Sequence, residues 1–315
     1  MQQKNCTEEY RKILPERDHK ERDQKMEVRI NEPMKRHTSF RAGGNAEWFC
    51  IPETAEELKA VVNACKKAGM PWYMLGNGSN LLVSDEGFSG VIISTGKFDK
   101  LEVEGNIVTV GAGVMLAKAA NAALKAGLTG LEFAAGIPGS IGGATVMNAG
   151  AYGSEMKNVL KTVTVLTADG EVKTLPAEEL ELGYRTSCIQ RNGWLVLEAA
   201  FELQPGDPEA IRAQMDDLAF RRRDKQPLEY PSAGSTFKRP EGHFAGKLIE
   251  DAGLKGFSVG GAEVSVKHAG FVINKGGATA SDIYGLCKKV ERKVLETFGV
   301  ALEMEVKLLG RFEEE

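Results

Sequence analysis

Between Ala135 and Gly153 the chain reads AGIPGSIGGATVMNAGAYG, a stretch with too much glycine for an ordinary helix and no charged residue for a solvated linker. Gly136, Gly139, Gly142 and Gly143 allow positive φ and let backbone amides approach a ligand at distances a Cβ would forbid, which is how a phosphate cradle is built. Pro138 fixes one dihedral and stiffens the loop. Ile137, Ser140, Ala144, Ala149, Gly150 and Gly153 complete the candidate cofactor surface, with Asn148 and Tyr152 as polar handles. Flexible linkers are rich in serine and charge, whereas this segment carries Ile137, Ile141, Val146 and Met147. The reading is a loop wrapped around a ligand.

The rest of the chain is long enough to hold it: 315 residues suit two or three domains. A net charge of −4 shows no basic excess, so no nucleic-acid partner is expected. Cys6, Cys50, Cys65, Cys188 and Cys287 are scattered and odd in number, which argues for a reducing compartment over a disulfide or zinc framework. No apolar signal core or bilayer-length run is found, so a cytoplasmic protein without membrane contact is expected.

Residues 1–25 are charged without apolar period and read as a tail. A strand is expected at 46–51, then a helix with a Thr54/Glu57 capping box, an apolar face of Leu58, Val61, Val62 and Cys65, and a stop at Gly69. Leu75, Gly76, Asn77, Gly78, Ser79, Asn80 and Leu81 then run strand, glycine nest, strand. From Gly111 to Gly127 an alanine-rich helix opens on glycines, so its N-terminus can face an anion. No full GxGxxG occurs, which weakens a Rossmann reading. Two glycine nests instead suggest one extended, pyrophosphate-bearing cofactor between two small α/β lobes, as a flavin dinucleotide could be held.

Beyond it, 161–175 is a hairpin turned at Asp169-Gly170 and 194–203 a strand. A domain boundary is placed near Gly206. Asp207 caps a helix with Ile211, Met215 and Leu218 on one face, ending in Arg221, Arg222 and Arg223, read as a favourable helix end or solvated face. A long helix over 281–298 is core. The final strand, LEMEVKLLG, puts Leu302, Met304, Val306 and Leu308 on one face by alternation. No GxSxG, no HExxH and no histidine cluster supports acyl transfer or zinc hydrolysis.

The segments GNGSNLLVSD, GIPGSIGGATVMNAGAYG, YRTS, PSAGSTFKRP and LEMEVKLLG, in this order, closely resemble the UDP-N-acetylenolpyruvoylglucosamine reductase family over about residues 37–310. The resemblance implies an α/β (α+β) chain: two lobes of a PCMH-type FAD-binding fold (26–98 and 99–205), a C-terminal α+β substrate-binding domain (206–301) and a terminal strand (302–315) carrying a catalytic glutamate. It implies non-covalent FAD, NADPH as hydride donor, and a monomer acting on UDP-N-acetylglucosamine enolpyruvate. Hydride would pass from reduced flavin N5 to C3, giving UDP-N-acetylmuramate.

Arg185 matches the family's arginine, Ser235 its proton donor and Glu305 its glutamate, whose assisting role would need burial to keep it protonated. Tyr184, Lys238 and Lys247 are the implied substrate contacts. Glu303 is a rival to Glu305, but the LExEVK pattern selects the latter. Arg239 stands where the family often has asparagine, and no counterpart of the tyrosine-bearing lid loop of some members is seen. Two other readings stand: a flavin oxidase of the same fold, and a flavin- or nucleotide-binding protein without turnover.

Overall fold

The computed structural model describes residues 26–313; the expected tail over 1–25 lies outside the described residues. In the first lobe Glu27–Pro33 runs antiparallel to Asn45–Ile51, which lies parallel to Phe88–Ser94, itself parallel to Trp72–Leu75. The first of these strands went unread because EVRINEP alternates weakly and ends in proline. Phe88–Ser94 is central and buried through Gly90–Ile93, as a strand with parallel neighbours requires. Helix α1 (Ala55–Ala68) starts where Thr54 accepts from Glu57 N, but the Glu57 carboxylate accepts from Glu53 N and not from Thr54 N, so the capping box is only half formed. Leu58, Val61, Val62 and Cys65 are buried against Cys50, Val91 and Ile93 together with Leu166, Leu195 and Leu197 of the second lobe. The helix therefore cements both lobes.

The second lobe is an antiparallel five-stranded sheet in the order Val172–Pro176, Leu160–Leu166, Leu195–Glu202, Ile107–Gly111, Leu101–Glu104. Helix α2 spans Leu116–Lys125, starting later than expected because Gly111 still belongs to a strand. Its first amide, Leu116 N, donates to Gly139 O at 3.0 Å, so the helix start faces the glycine-rich stretch in place of an anion. That stretch contains a short helix, α3 (Ile141–Val146), and α4 is the single turn Cys188–Arg191. Helix α5 (Pro208–Lys225) begins as expected on Asp207, which accepts from Glu209 N and Ala210 N. Ile211 and Met215 are buried in the second-lobe core, so by packing the boundary expected near Gly206 moves to the end of this helix.

The remaining chain packs α6 (Ala245–Asp251) and α7 (Ala280–Phe298) on the sheet Ser258–Val259, Ala262–Val264, Val272–Asn274. Side chains at Asp85 and Asn274 help to fasten it to the first lobe. The Asp85 carboxylate accepts from Ala280 N and Ser281 N, both at 2.8 Å, and from Ser281 Oγ at 2.7 Å, capping α7 from outside its own domain. The Asn274 side-chain amide donates to Phe40 O at 2.9 Å.

The terminal strand is shorter than alternation suggested. Residues 303–305 pair with 236–238 through Lys238 N to Glu303 O and Glu305 N to Thr236 O, both 2.8 Å. The chain then changes partner, and Lys307–Leu309 runs parallel to Leu81–Val83. Alternation therefore slips a residue: Leu302 and Val306 are buried, but Leu309 is buried where Leu308, 40% exposed, was expected.

Candidate active site

Leu75 closes the partly buried strand Trp72–Leu75 and Leu81 opens the buried strand Leu81–Val83, and the five residues between them form an open backbone nest. Among the described residues, no hydrogen bond uses the amides of Gly76, Asn77, Gly78, Ser79 or Asn80. A Cβ on Gly78 (φ 60°) would sit 1.9 Å from His37 O, and one on Gly76 would sit 2.4 Å from Ser140 Oγ. Glycine is required at Gly78, where the clash is with backbone; at Gly76 a side chain would displace the Ser140 hydroxyl. The Asn77 side-chain amide donates to Pro138 O at 2.7 Å, tying this nest to the second glycine stretch. Ser140 Oγ is buried there without a hydrogen-bond partner among the described residues, and such a group normally has one. Gly143 faces that hydroxyl, and Ser79 lies beside Gly139. Free amides, an orphaned hydroxyl and a gap that a Cβ would fill suit a diphosphate.

Other members of the candidate set serve the frame. Gly142 N donates to Ala112 O, Ala149 N to Ala144 O, and Ile137 N to Ala134 O. The buried Asn148 side chain donates to Glu155 Oε2 at 2.9 Å and to Gly183 O at 3.1 Å, and accepts from Lys157 N at 3.0 Å. Its side chain is fully engaged, so what remains for a cofactor is backbone. Gly150–Ala151 and Ser154–Glu155 close a two-residue hairpin whose turn residues, Tyr152 (φ 55°) and Gly153 (φ 88°), both have positive φ.

Beside that hairpin opens a cavity of about 690 Å³ lined by Tyr152, Tyr184, Arg185, Ser235, Lys247 and Glu305 among others. Three separated segments meet in it. Arg185 sits at φ 55° in a tight turn closed by Gly183 N to Thr186 O at 3.1 Å and anchored by Asn148. Arg185 Nε donates to Glu305 Oε1 at 2.6 Å, with side-chain exposures of 23% and 11%. Because the pair is sheltered from bulk water, its Coulombic attraction is less screened than that of a surface pair. Ser235 follows Gly234 (φ 76°) and is exposed to the cavity, while Thr236 behind it accepts from Val272 N through Oγ1.

The structure does not bring Lys238 to the cavity lining; its ammonium is paired with the Glu303 carboxylate. Lys247 reaches the cavity, with Asp251 at 2.6 Å. Lys255 and Lys267 line it too. Tyr184 Oη accepts from Arg239 N at 3.2 Å, and the Arg239 guanidinium lies 4.6 Å from the ring centroid of the exposed Phe244. At the cavity floor His268 Nδ1 accepts from Gly270 N at 3.1 Å, and burial pushes this imidazole below its ordinary value.

Residues 46–176 match the model of an FAD binding domain, and 226–309 match the UDP-N-acetylenolpyruvoylglucosamine reductase C-terminal domain. A UDP-N-acetylenolpyruvoylglucosamine reductase of Clostridium novyi is 54% identical over 286 residues, covering 91% of this chain and 93% of that one. The chain belongs to the UDP-N-acetylenolpyruvoylglucosamine reductase family. A reductase of this family from Clostridium botulinum is 53% identical over 90% of this chain and 92% of its own. The crystal structure of the family member from Thermus caldophilus superposes with a TM-score of 0.77 at 37% identity, over 91% of this chain and 99% of that one. The expected two-lobed FAD-binding architecture with a C-terminal α+β domain is thus the family's.

One residue of the site was passed over. Of the triplet that ends α5, Arg221 pairs with Asp217 at 2.8 Å and is exposed, as is Arg223. Arg222 is half-buried and turns inward: a methyl group on Gly136 would lie 2.9 Å from its Nη1. The signal was in the spacing. Ile211, Met215, Leu218 and Arg222 fall at i, i+4, i+7 and i+11, so Arg222 alone of the three continues the apolar stripe.

Proposed function

We propose that the chain catalyses NADPH-driven, FAD-dependent reduction of UDP-N-acetylglucosamine enolpyruvate to UDP-N-acetylmuramate, a step of peptidoglycan precursor synthesis, as a cytoplasmic monomer. The observation that carries this reading is the convergence of Arg185, Ser235 and Glu305, from segments 120 residues apart, in one cavity beside a glycine cradle. When bound, FAD accepts hydride from NADPH and supplies it to C3 of the enolpyruvyl group. Gly76–Asn80 and the Gly136–Gly143 stretch would hold its diphosphate through backbone amides and Ser140 Oγ.

Adding hydride at C3 leaves negative charge on C2 and the substrate carboxylate. Arg185, fixed in its turn by Asn148, stabilises that charge by standing ready before it forms. The Ser235 hydroxyl protonates C2, which is basic enough to take a proton from an alcohol held in place. Glu305 fixes the Arg185 guanidinium. It does so through Oε1, which accepts from Arg185 Nε. Lys247, Lys255 and Lys267 put cationic side chains on the wall of the same cavity, where the substrate diphosphate carries its charge.

The test is anaerobic NADPH oxidation by the FAD-loaded protein with and without the enolpyruvyl sugar. Multiple turnovers only when the sugar is present support the assignment. Flavin reduction indifferent to the sugar removes the substrate, and a protein that takes up no flavin removes the cofactor as well.

A further inference from the structure

The guanidinium of Arg222 has a hydrogen-bonding group with nothing to bond. Its Nε donates to Gln226 Oε1 at 3.1 Å, but Nη1 is buried without a partner, and among the described residues no carboxylate pairs with it. Burial pushes this guanidinium below its ordinary value, the nearby Tyr152 hydroxyl opposing. A buried guanidinium nitrogen without a partner is unfavourable, and chains that keep one usually have a group to meet it. The other arginines of this helix end show the alternative: Arg221 finds a carboxylate in solvent.

Its surroundings say where the anion arrives. Nη1 lies against Gly136, the first glycine of the second cofactor stretch, and the same guanidinium feels Tyr152, whose hairpin lines the substrate cavity. Gly136 is glycine because any side chain would occupy the space that Arg222 uses. The helix reaches this spot because Ile211 and Met215 root it in the second-lobe core, about two to three turns before Arg222. It therefore delivers a charge from the far end of the lobe to the cofactor cleft.

We propose that Arg222 is the counter-charge of the bound flavin dinucleotide, holding Nη1 for an anionic oxygen of the cofactor. The proposal rests on the reading of FAD as cofactor. Two parts of the dinucleotide carry such an oxygen: the diphosphate, and the pyrimidine edge of the ring, which gains negative charge on reduction. A lysine cannot reproduce the planar fork, so the contact is geometric as well as electrostatic.

The experiment compares full-length wild type, Arg222→Met and Arg222→Lys by FAD titration, by the flavin midpoint potential, and by thermal unfolding of the flavin-free chain. Arg222→Met is expected to weaken FAD binding about ten- to a hundred-fold if the diphosphate is the partner. If the ring edge is the partner, FAD affinity holds and the midpoint potential shifts to more negative values. Arg222→Lys falls between. Either outcome should come with a flavin-free Arg222→Met chain at least as stable as wild type, because an unpaired buried charge has been removed. Unchanged affinity and potential overturn the proposal, as does a destabilised flavin-free chain that binds FAD as well as wild type. Wild type that takes up no FAD overturns it together with the cofactor reading, an outcome distinct from indifference of the variants.

Discussion

The side-chain amide of Asn80, at the end of the first glycine nest, donates to the backbone carbonyl of Glu305 at 3.1 Å, while the Asn80 carbonyl accepts from Lys307 N at 3.1 Å. One residue of the cofactor loop thus grips the chain on both sides of Val306. The same amide lies 3.4 Å from Met147 Sδ, at the end of α3. The loop that would hold the diphosphate and the residue that fixes Arg185 are parts of one rigid junction.

Asn80→Ala should therefore lower kcat for sugar reduction about tenfold, the worth of one lost hydrogen bond at a placement-critical point. FAD content and the rate of flavin reduction by NADPH should stay near wild type. Stopped-flow measurement of the two half-reactions separates them; an equal fall in both would show that the amide serves the cofactor instead.

Ser235→Ala should leave NADPH-driven flavin reduction intact and slow sugar reduction about a hundred- to ten-thousand-fold, the usual contribution of a positioned proton donor. Single-turnover mixing of the reduced protein with the enolpyruvyl sugar measures it. Survival of both half-reactions would remove Ser235 from the mechanism.

Gly76→Ala puts a methyl group 2.4 Å from Ser140 Oγ, closer than real contacts allow. The purified variant is expected to fold and to lack the flavin absorbance, recovering none on addition of FAD. A yellow Gly76→Ala protein would mean that the two loops do not share a ligand.

Asp85→Ala removes three hydrogen bonds between the first lobe and the start of α7, leaving the Thr279–Asp282 capping box in place. A loss of about 1–2 kcal/mol, or roughly 2–4 °C in the unfolding midpoint, is expected. Differential scanning calorimetry reads it directly, and a second, separate transition would indicate that the domains have come apart.

For His268 the sign runs against acid. Burial lowers its folded value below the ordinary 6.5, with Lys255 acting in the same direction and Glu250 against it. Below 6.5 the unfolded chain binds more protons, so the contribution is whole above pH 6.5 and is lost as pH falls through the folded value. His268→Asn should flatten the acid limb of a stability-against-pH curve obtained by denaturant titration.

Much of this was legible from residue order alone, for identifiable reasons. Periodicity exposed α1 and α7 because each buries one clean stripe, α5 was marked by its Asp207–Pro208 start, and the glycine nests were visible because a Cβ could not approach so closely at Gly78 or Gly142. What escaped depended on partners distant in sequence. Lys238 reads as a cavity residue until Glu303, brought alongside by the terminal strand, takes its ammonium. Asn148 reads as a ligand contact until Gly183 and Glu155 are seen to surround it. The slip at Leu308 could not be read at all, because alternation presumes one sheet and this segment crosses from one pairing to another.

The late pairing of Lys307–Leu309 with Leu81–Val83 also sets a schedule for biosynthesis. Asn80 and Glu305 are 225 residues apart, so at roughly 5–20 residues per second the first lobe waits about 10–45 seconds for its neighbour. Throughout that interval a nascent chain carries three apolar residues, Leu81, Leu82 and Val83, without the strand they pair with. The segment that brings Glu305 to Arg185 runs directly into the strand that covers these residues, so the ion pair and this cover arrive together in synthesis.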